Sequence, residues 1–164
     1  MSEQRLTHVD ESGAARMVDV SEKQPTKRVA TASGRVLVSP EVVALLRGEG
    51  VPKGDALAVA RIAGIVGAKQ TPTLIPLCHP LAISQAAVDL DVDDDAVRIS
   101  ATVATTDRTG VEMEALTAVS VAALTVVDMV KAVDPLATMD GVRLAAKSGG
   151  KRGDWRREDH GTEP

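Results

Sequence analysis

The chain has 164 residues and a net charge of −4, with a single cysteine, no Phe, no Tyr and one Trp. That length suits one domain, which buries roughly 70% of its unfolded surface and needs no covalent staples. The mild acidic balance excludes the global basic field of a nucleic-acid binder, and one cysteine excludes an internal disulfide framework and fits a reducing cytosol.

Residues 1–27 are polar and mixed and read as an N-terminal arm that orders only against something else. Residues 29–38, VATASGRVLV, read as a strand. Ser39-Pro40-Glu41 is a helix start: a serine cap, proline at the first helical position and an acid near the positive end of the dipole. That helix stops near Gly48 and Gly50. A second helical run covers 54–69 and ends before Pro72. Gly64 and Gly67 weaken it by up to ~1 kcal/mol each relative to alanine, which predicts close packing against another backbone. Residues 83–92 and 97–105 alternate apolar and polar side chains across an Asp93-Asp94-Asp95-Ala96 connection and predict a hairpin.

The stretch 110–133, GVEMEALTAVSVAALTVVDMVKAV, is the most informative. It predicts a long helix over 111–133, apolar almost all round and therefore buried. Yet it carries Glu112, Glu114, Asp128 and Lys131. Burying an unpaired charge costs several kcal/mol, so these groups either snorkel at a rim or line a functional cavity. At ~100° per residue, Glu114 and Asp128 lie roughly 40° apart, and Lys131 follows Asp128 by one turn. A last strand is expected near 141–147, and a charged, Gly-rich tail follows from Ser148. The order strand, helices, strand, strand, helix, strand predicts a ferredoxin-like α+β fold: a four-stranded antiparallel sheet with helices on one face. The domain is expected over 28–155, with a flexible tail over 156–164. The N-terminus has no apolar signal region, and no charge-free run reaches about 18 apolar residues, so the chain reads as cytoplasmic with no membrane segment. A core without aromatic rings buries less area per residue, from which we expect subunit association to contribute.

Four segments could carry chemistry. Lys53-Gly54-Asp55 puts an amine just before a helix start, within reach of an anion there; a solvent-exposed loop lysine is the plainer alternative. Leu77-Cys78-His79 sits between Pro76 and Pro80, which stiffen the backbone around a histidine in an apolar setting. One Cys and three His do not give zinc-ligand spacing, so no metal is expected. Thr109-Gly110-Val111-Glu112 has the spacing of a capping box, which would account for Glu112. Lys147-Ser148-Gly149-Gly150-Lys151-Arg152 offers cations and bare amides suited to a polyphosphate, without the pattern of a Walker loop. Together they suit a phosphate-rich small molecule undergoing proton transfer.

IPLCHPL, the 110–133 helix, KSGGKRGDW, LTHVD…MVDVS and KGDALAVARIAGI closely resemble the molybdenum-cofactor biosynthesis protein C family, the cyclic pyranopterin monophosphate synthases, over about residues 5–155. The resemblance implies a ferredoxin-like subunit in a homohexamer, a trimer of dimers, with active sites between subunits. It implies a lyase acting on 3',8-cyclo-7,8-dihydro-GTP to give cyclic pyranopterin monophosphate and pyrophosphate, with no cofactor. Carried over by position, it assigns Asp128, Lys131 and Lys53 to catalysis. It assigns Leu77, Cys78, His79, Met113, Glu114 and Lys147 to substrate contact. A nucleotide-sensing module of the same fold, without turnover, is the competing expectation. An RNA-binding domain of similar strand order would stack bases on strand aromatics, and no predicted strand has one.

Overall fold

The computed structural model describes residues 6–48 and 54–158. Twelve-residue β1 (Thr26–Leu37) is followed by α1 (Pro40–Arg47) and α2 (Ala56–Leu74). Next come the hairpin strands β2 (Ile83–Val92) and β3 (Ala96–Asp107), α3 (Glu112–Val130), β4 (Thr138–Ser148) and a two-residue β5 (Trp155–Arg156). The strands form one sheet in the order β2-β3-β1-β4-β5, with every neighbouring pair antiparallel. The sheet therefore has five strands, against the four expected. β5 arises where Lys147 pairs with Trp155 and Ala146 with Arg156, so the tail is tied back to β4 just where the sequence loses its apolar pattern.

The helix starts follow their local chemistry. Ser39 caps α1, its hydroxyl accepting from Val42 N–H, with Pro40 at the first position. Asp55 caps α2 through Ala58 N–H at 3.0 Å. Contrary to the expected stop at residue 69, α2 continues through Pro72 to Leu74. Thr71 lies in that last turn, fully buried, and its hydroxyl donates to the Ala68 carbonyl at 2.9 Å. The capping box expected at α3 does not form: Val111 stands at the cap position with no side-chain bond, and Glu112 is engaged elsewhere.

α3 lies across β1, β3 and β4, and α2 packs beside it and over β2. By length and hydropathy α3 could cross a bilayer, but here it is the central helix of the core. Valine and alanine, with Ile99, Leu90 and Met129, fill that core, as the absence of Phe and Tyr requires. Small side chains let α2 approach α3 closely. A Cβ at Gly64 would stand 2.9 Å from the Ala118 carbonyl, and one at Gly67 would stand 2.8 Å from a Val121 methyl. Gly64→Ala is thus expected to destabilise the fold by about 2 kcal/mol in urea unfolding, although alanine favours an isolated helix by ~1 kcal/mol. A neutral or stabilising result would mean that the two helices are free to separate. At the far end of α3, buried Asp134 accepts from Ser39 N–H at 2.7 Å and Leu136 N–H at 3.0 Å, fixing the turn into β4 beside α1.

Candidate active site

The start of β1 and the end of β4 meet beside the start of α3, and the glycine loop after β4 closes the corner. Gly149 has φ +84°, and a Cβ there would overlap the Lys27 carbonyl, so only glycine lets the loop lie against β1. Asp154 closes the loop by accepting from Gly149 N–H at 3.1 Å. Arg28 reaches across the corner, its Nε donating to the Asp107 carbonyl at 3.0 Å and its Nη2 to the Arg108 carbonyl at 3.3 Å. The N-terminal arm runs over the top, and His79 donates from Nε2 to the Val18 carbonyl at 2.7 Å.

These segments enclose a cavity of about 650 Å³, large enough for a nucleotide-sized ligand. Its walls carry Lys23, Arg28, Lys147, Lys151 and Arg152, with His8 and His79, against the single carboxylate of Glu112. Backbone at Gly149 and Gly150 completes the lining. Five cations around one acid, two of them held in place through the Arg28 and Lys147 bonds, form a polyanion cradle.

Glu112 accepts from Lys147 Nζ at 2.9 Å, and both side chains are about three-quarters buried. Burial works to raise its carboxyl. The Lys147 bond, its own N–H and the charges of Lys147 and Arg28 outweigh burial and hold it below the usual range.

A smaller cavity of about 180 Å³ adjoins, lined by Leu77, Cys78, His79, Met113 and Glu114 among others. Glu114 is only 3% exposed. Burial pushes its carboxyl up to about 7; its own N–H works against this, and the Glu112 charge adds to it. Burial, then the Glu114 charge, also push the Cys78 thiol up. Cys78 therefore stays protonated, which is the reverse of an activated nucleophile.

Six expected contact residues, Leu77, Cys78, His79, Met113, Glu114 and Lys147, thus gather at one corner. Asp128 and Lys131 do not join them. Fourteen residues along α3 separate Asp128 from Glu114, about 21 Å of helix. They line neither of these two cavities: the Lys131 Nζ–Asp128 Oδ1 pair, at 2.5 Å, leaves both side chains more than half exposed. The shared helix stripe predicted from periodicity holds only in angle, since the helix length keeps its ends apart. Lys53 lies outside the described residues.

Sequence reasoning passed over Arg28, Lys23 and His8. Arg28 lies in a strand with no motif around it, and only the register of β1 against β3 and β4 brings it to the cavity.

Residues 17–150, well over half the chain, match the MoaC family. The chain belongs to the MoaC family. A Streptomyces griseus protein named cyclic pyranopterin monophosphate synthase is 75% identical over 156 residues, covering 95% of this chain and 88% of that protein. A Nocardioides protein of the same name is 75% identical over 159 residues, covering 95% and 98%. A Mycobacterium tuberculosis protein named cyclic pyranopterin monophosphate synthase 2 is 60% identical over 152 residues, covering 93% and 91%. All of α3 and the corner residues Lys23, Arg28, His79 and Lys147 fall inside the MoaC match, while His8, Lys151 and Arg152 lie outside it.

Proposed function

We propose that the chain is a cyclic pyranopterin monophosphate synthase, a cytoplasmic lyase with a ferredoxin-like subunit. It converts 3',8-cyclo-7,8-dihydro-GTP to cyclic pyranopterin monophosphate and releases pyrophosphate. The observation that carries this reading is the 650 Å³ cavity with five cations facing one carboxylate. A triphosphate needs such charge when it binds, and the leaving pyrophosphate needs it more. His79 and Lys147 hold the phosphates. Glu114 and Met113, in the adjoining cavity, face the ring portion of the substrate.

Lys131 and Lys53 form the acid/base pair that moves protons at the purine and ribose atoms. Asp128, 2.5 Å from Lys131, positions it. Acid/base work by Lys131 calls for desolvation of the exposed pair. Covering by another subunit supplies that desolvation. Support for assembly comes from α2, where Val59, Ile62 and Val66 form an apolar stripe exposed by 43%, 62% and 50%, and from Leu124 on α3, exposed by 57%. Such faces mark subunit contacts. A homohexamer, a trimer of dimers with sites between subunits, brings the two ends of α3 from different chains together.

The test is incubation of the purified protein with the cyclised dihydro-GTP. Pyrophosphate and the oxidised, fluorescent pterin should appear in equal amounts. Binding without release of either would replace the synthase by a nucleotide-sensing module.

A further inference from the structure

Among the described residues Glu112 is the one acid lining a cavity rich in cations, and neither the capping of α3 nor any role given above accounts for it. Its position is specific. The carboxylate folds back over Gly110, where any Cβ would overlap Oε2. From there Oε1 takes the Lys147 ammonium at 2.9 Å, and Arg28 lies near enough to act on its charge. Arg28 is itself anchored on the Asp107 and Arg108 carbonyls and sits against Gly150, so the cation on that side is fixed. Glu112 is thus the carboxylate that Lys147 meets inside the cradle.

A carboxylate held between a lysine and an arginine occupies the place a phosphate oxygen would take, with the same charge sign and the same acceptor geometry. We propose that Glu112 is an internal stand-in for phosphate: it holds Lys147 in position while the cavity is empty and yields it to the ligand's phosphate group. This rests on the polyphosphate reading of the cavity. The pair lowers the repulsion between Lys147 and Arg28 before binding. It also weakens the grip on pyrophosphate afterwards, because the carboxylate competes to recover its lysine. Glu112 is thus a positioning residue that acts through Lys147 and favours product release.

The experiment is calorimetric titration of the intact protein with inorganic pyrophosphate, comparing wild type with Glu112→Gln, Glu112→Asp and Lys147→Ala. Glu112→Gln, which keeps the shape and removes the charge, should bind pyrophosphate about tenfold tighter, the scale of one charge contact in a half-buried site. Its kcat should fall with slower product release, and its KM should fall too. Glu112→Asp keeps the charge with a shorter reach and should stay within about threefold of wild type. The gain should vanish when Glu112→Gln is combined with Lys147→Ala, because both act through one contact. Unchanged or weaker pyrophosphate binding by Glu112→Gln, with wild-type binding measurable, overturns the stand-in and leaves the polyanion cavity standing. A loss of kcat with unchanged pyrophosphate affinity also overturns it and makes Glu112 a catalytic group. No pyrophosphate binding by any form overturns the cavity reading, and the stand-in with it.

Discussion

Lys131→Ala and Lys147→Ala chains, each inactive alone, are expected to regain about a quarter of wild-type turnover when co-expressed and purified as mixed oligomers. Lys147 lines the cationic cavity at the start of α3. Lys131 stands just beyond its other end, exposed beside Asp128. Some 21 Å of rigid helix separates Glu114 from Asp128, and no rotamer closes such a gap. If both lysines serve one reaction, they come from different chains. Random mixing then gives about one site in four an intact Lys147 from one chain and an intact Lys131 from another. Lys131→Ala should lose about a thousandfold or more in kcat, the scale of a missing proton-transfer group, and Lys147→Ala about a hundredfold or more, the scale of a lost charge contact to the leaving pyrophosphate. Any assembly should persist in light scattering, because each variant trims a single side chain outside the buried apolar core. A mixture no more active than its parents would place the whole site within single chains. Lys131 would then leave the mechanism.

The same contrast shows how far the sequence could be read. Period-two alternation gave the β2–β3 hairpin to within a residue or two, because one face of each strand is buried and the other wet. Ser39-Pro40 and Asp55 located two helix starts, because their caps are made by neighbours in the chain. Gly64 announced a close helix approach that the structure supplies at the Ala118 carbonyl. Failures came where distant residues decide. The spacing Thr109 to Glu112 suits a cap, but Lys147 on β4 takes the Glu112 carboxylate instead. Arg28 was illegible because its role depends on which strands flank β1. β5 was missed for the same reason, since two residues have no period and pair only because the Gly149 turn folds them back. The separation of Asp128 from Glu114 was legible in principle. Angle around a helix was counted, and rise along it was not.

Glu114→Gln is expected to raise the melting temperature at pH 8 by about 5 °C and to leave it unchanged at pH 4. In the unfolded chain this carboxyl ionises near its ordinary value of 4.5, whereas in the fold it holds its proton to about 7. The folded state therefore binds more protons than the unfolded state between those values, and stability falls as pH rises through that window. Below 4.5 both states are protonated and the group costs nothing. Above about 7 both are ionised, and the full cost of burying the charge is present. At about 1.4 kcal/mol per pH unit the window amounts to roughly 3 kcal/mol, and solvent screening near the helix end reduces this to about 2. Glutamine keeps the shape and carries no charge at any pH, so its melting curve should lack the decline. The comparison also bears on function. A carboxyl that is neutral around pH 7 can donate a hydrogen bond to a ring acceptor, and an ionised one can only accept. Parallel wild-type and variant melting profiles from pH 4 to pH 9 would show Glu114 to be an ordinary carboxylate. Whatever hydrogen bond the substrate ring receives in that corner would then come from another group.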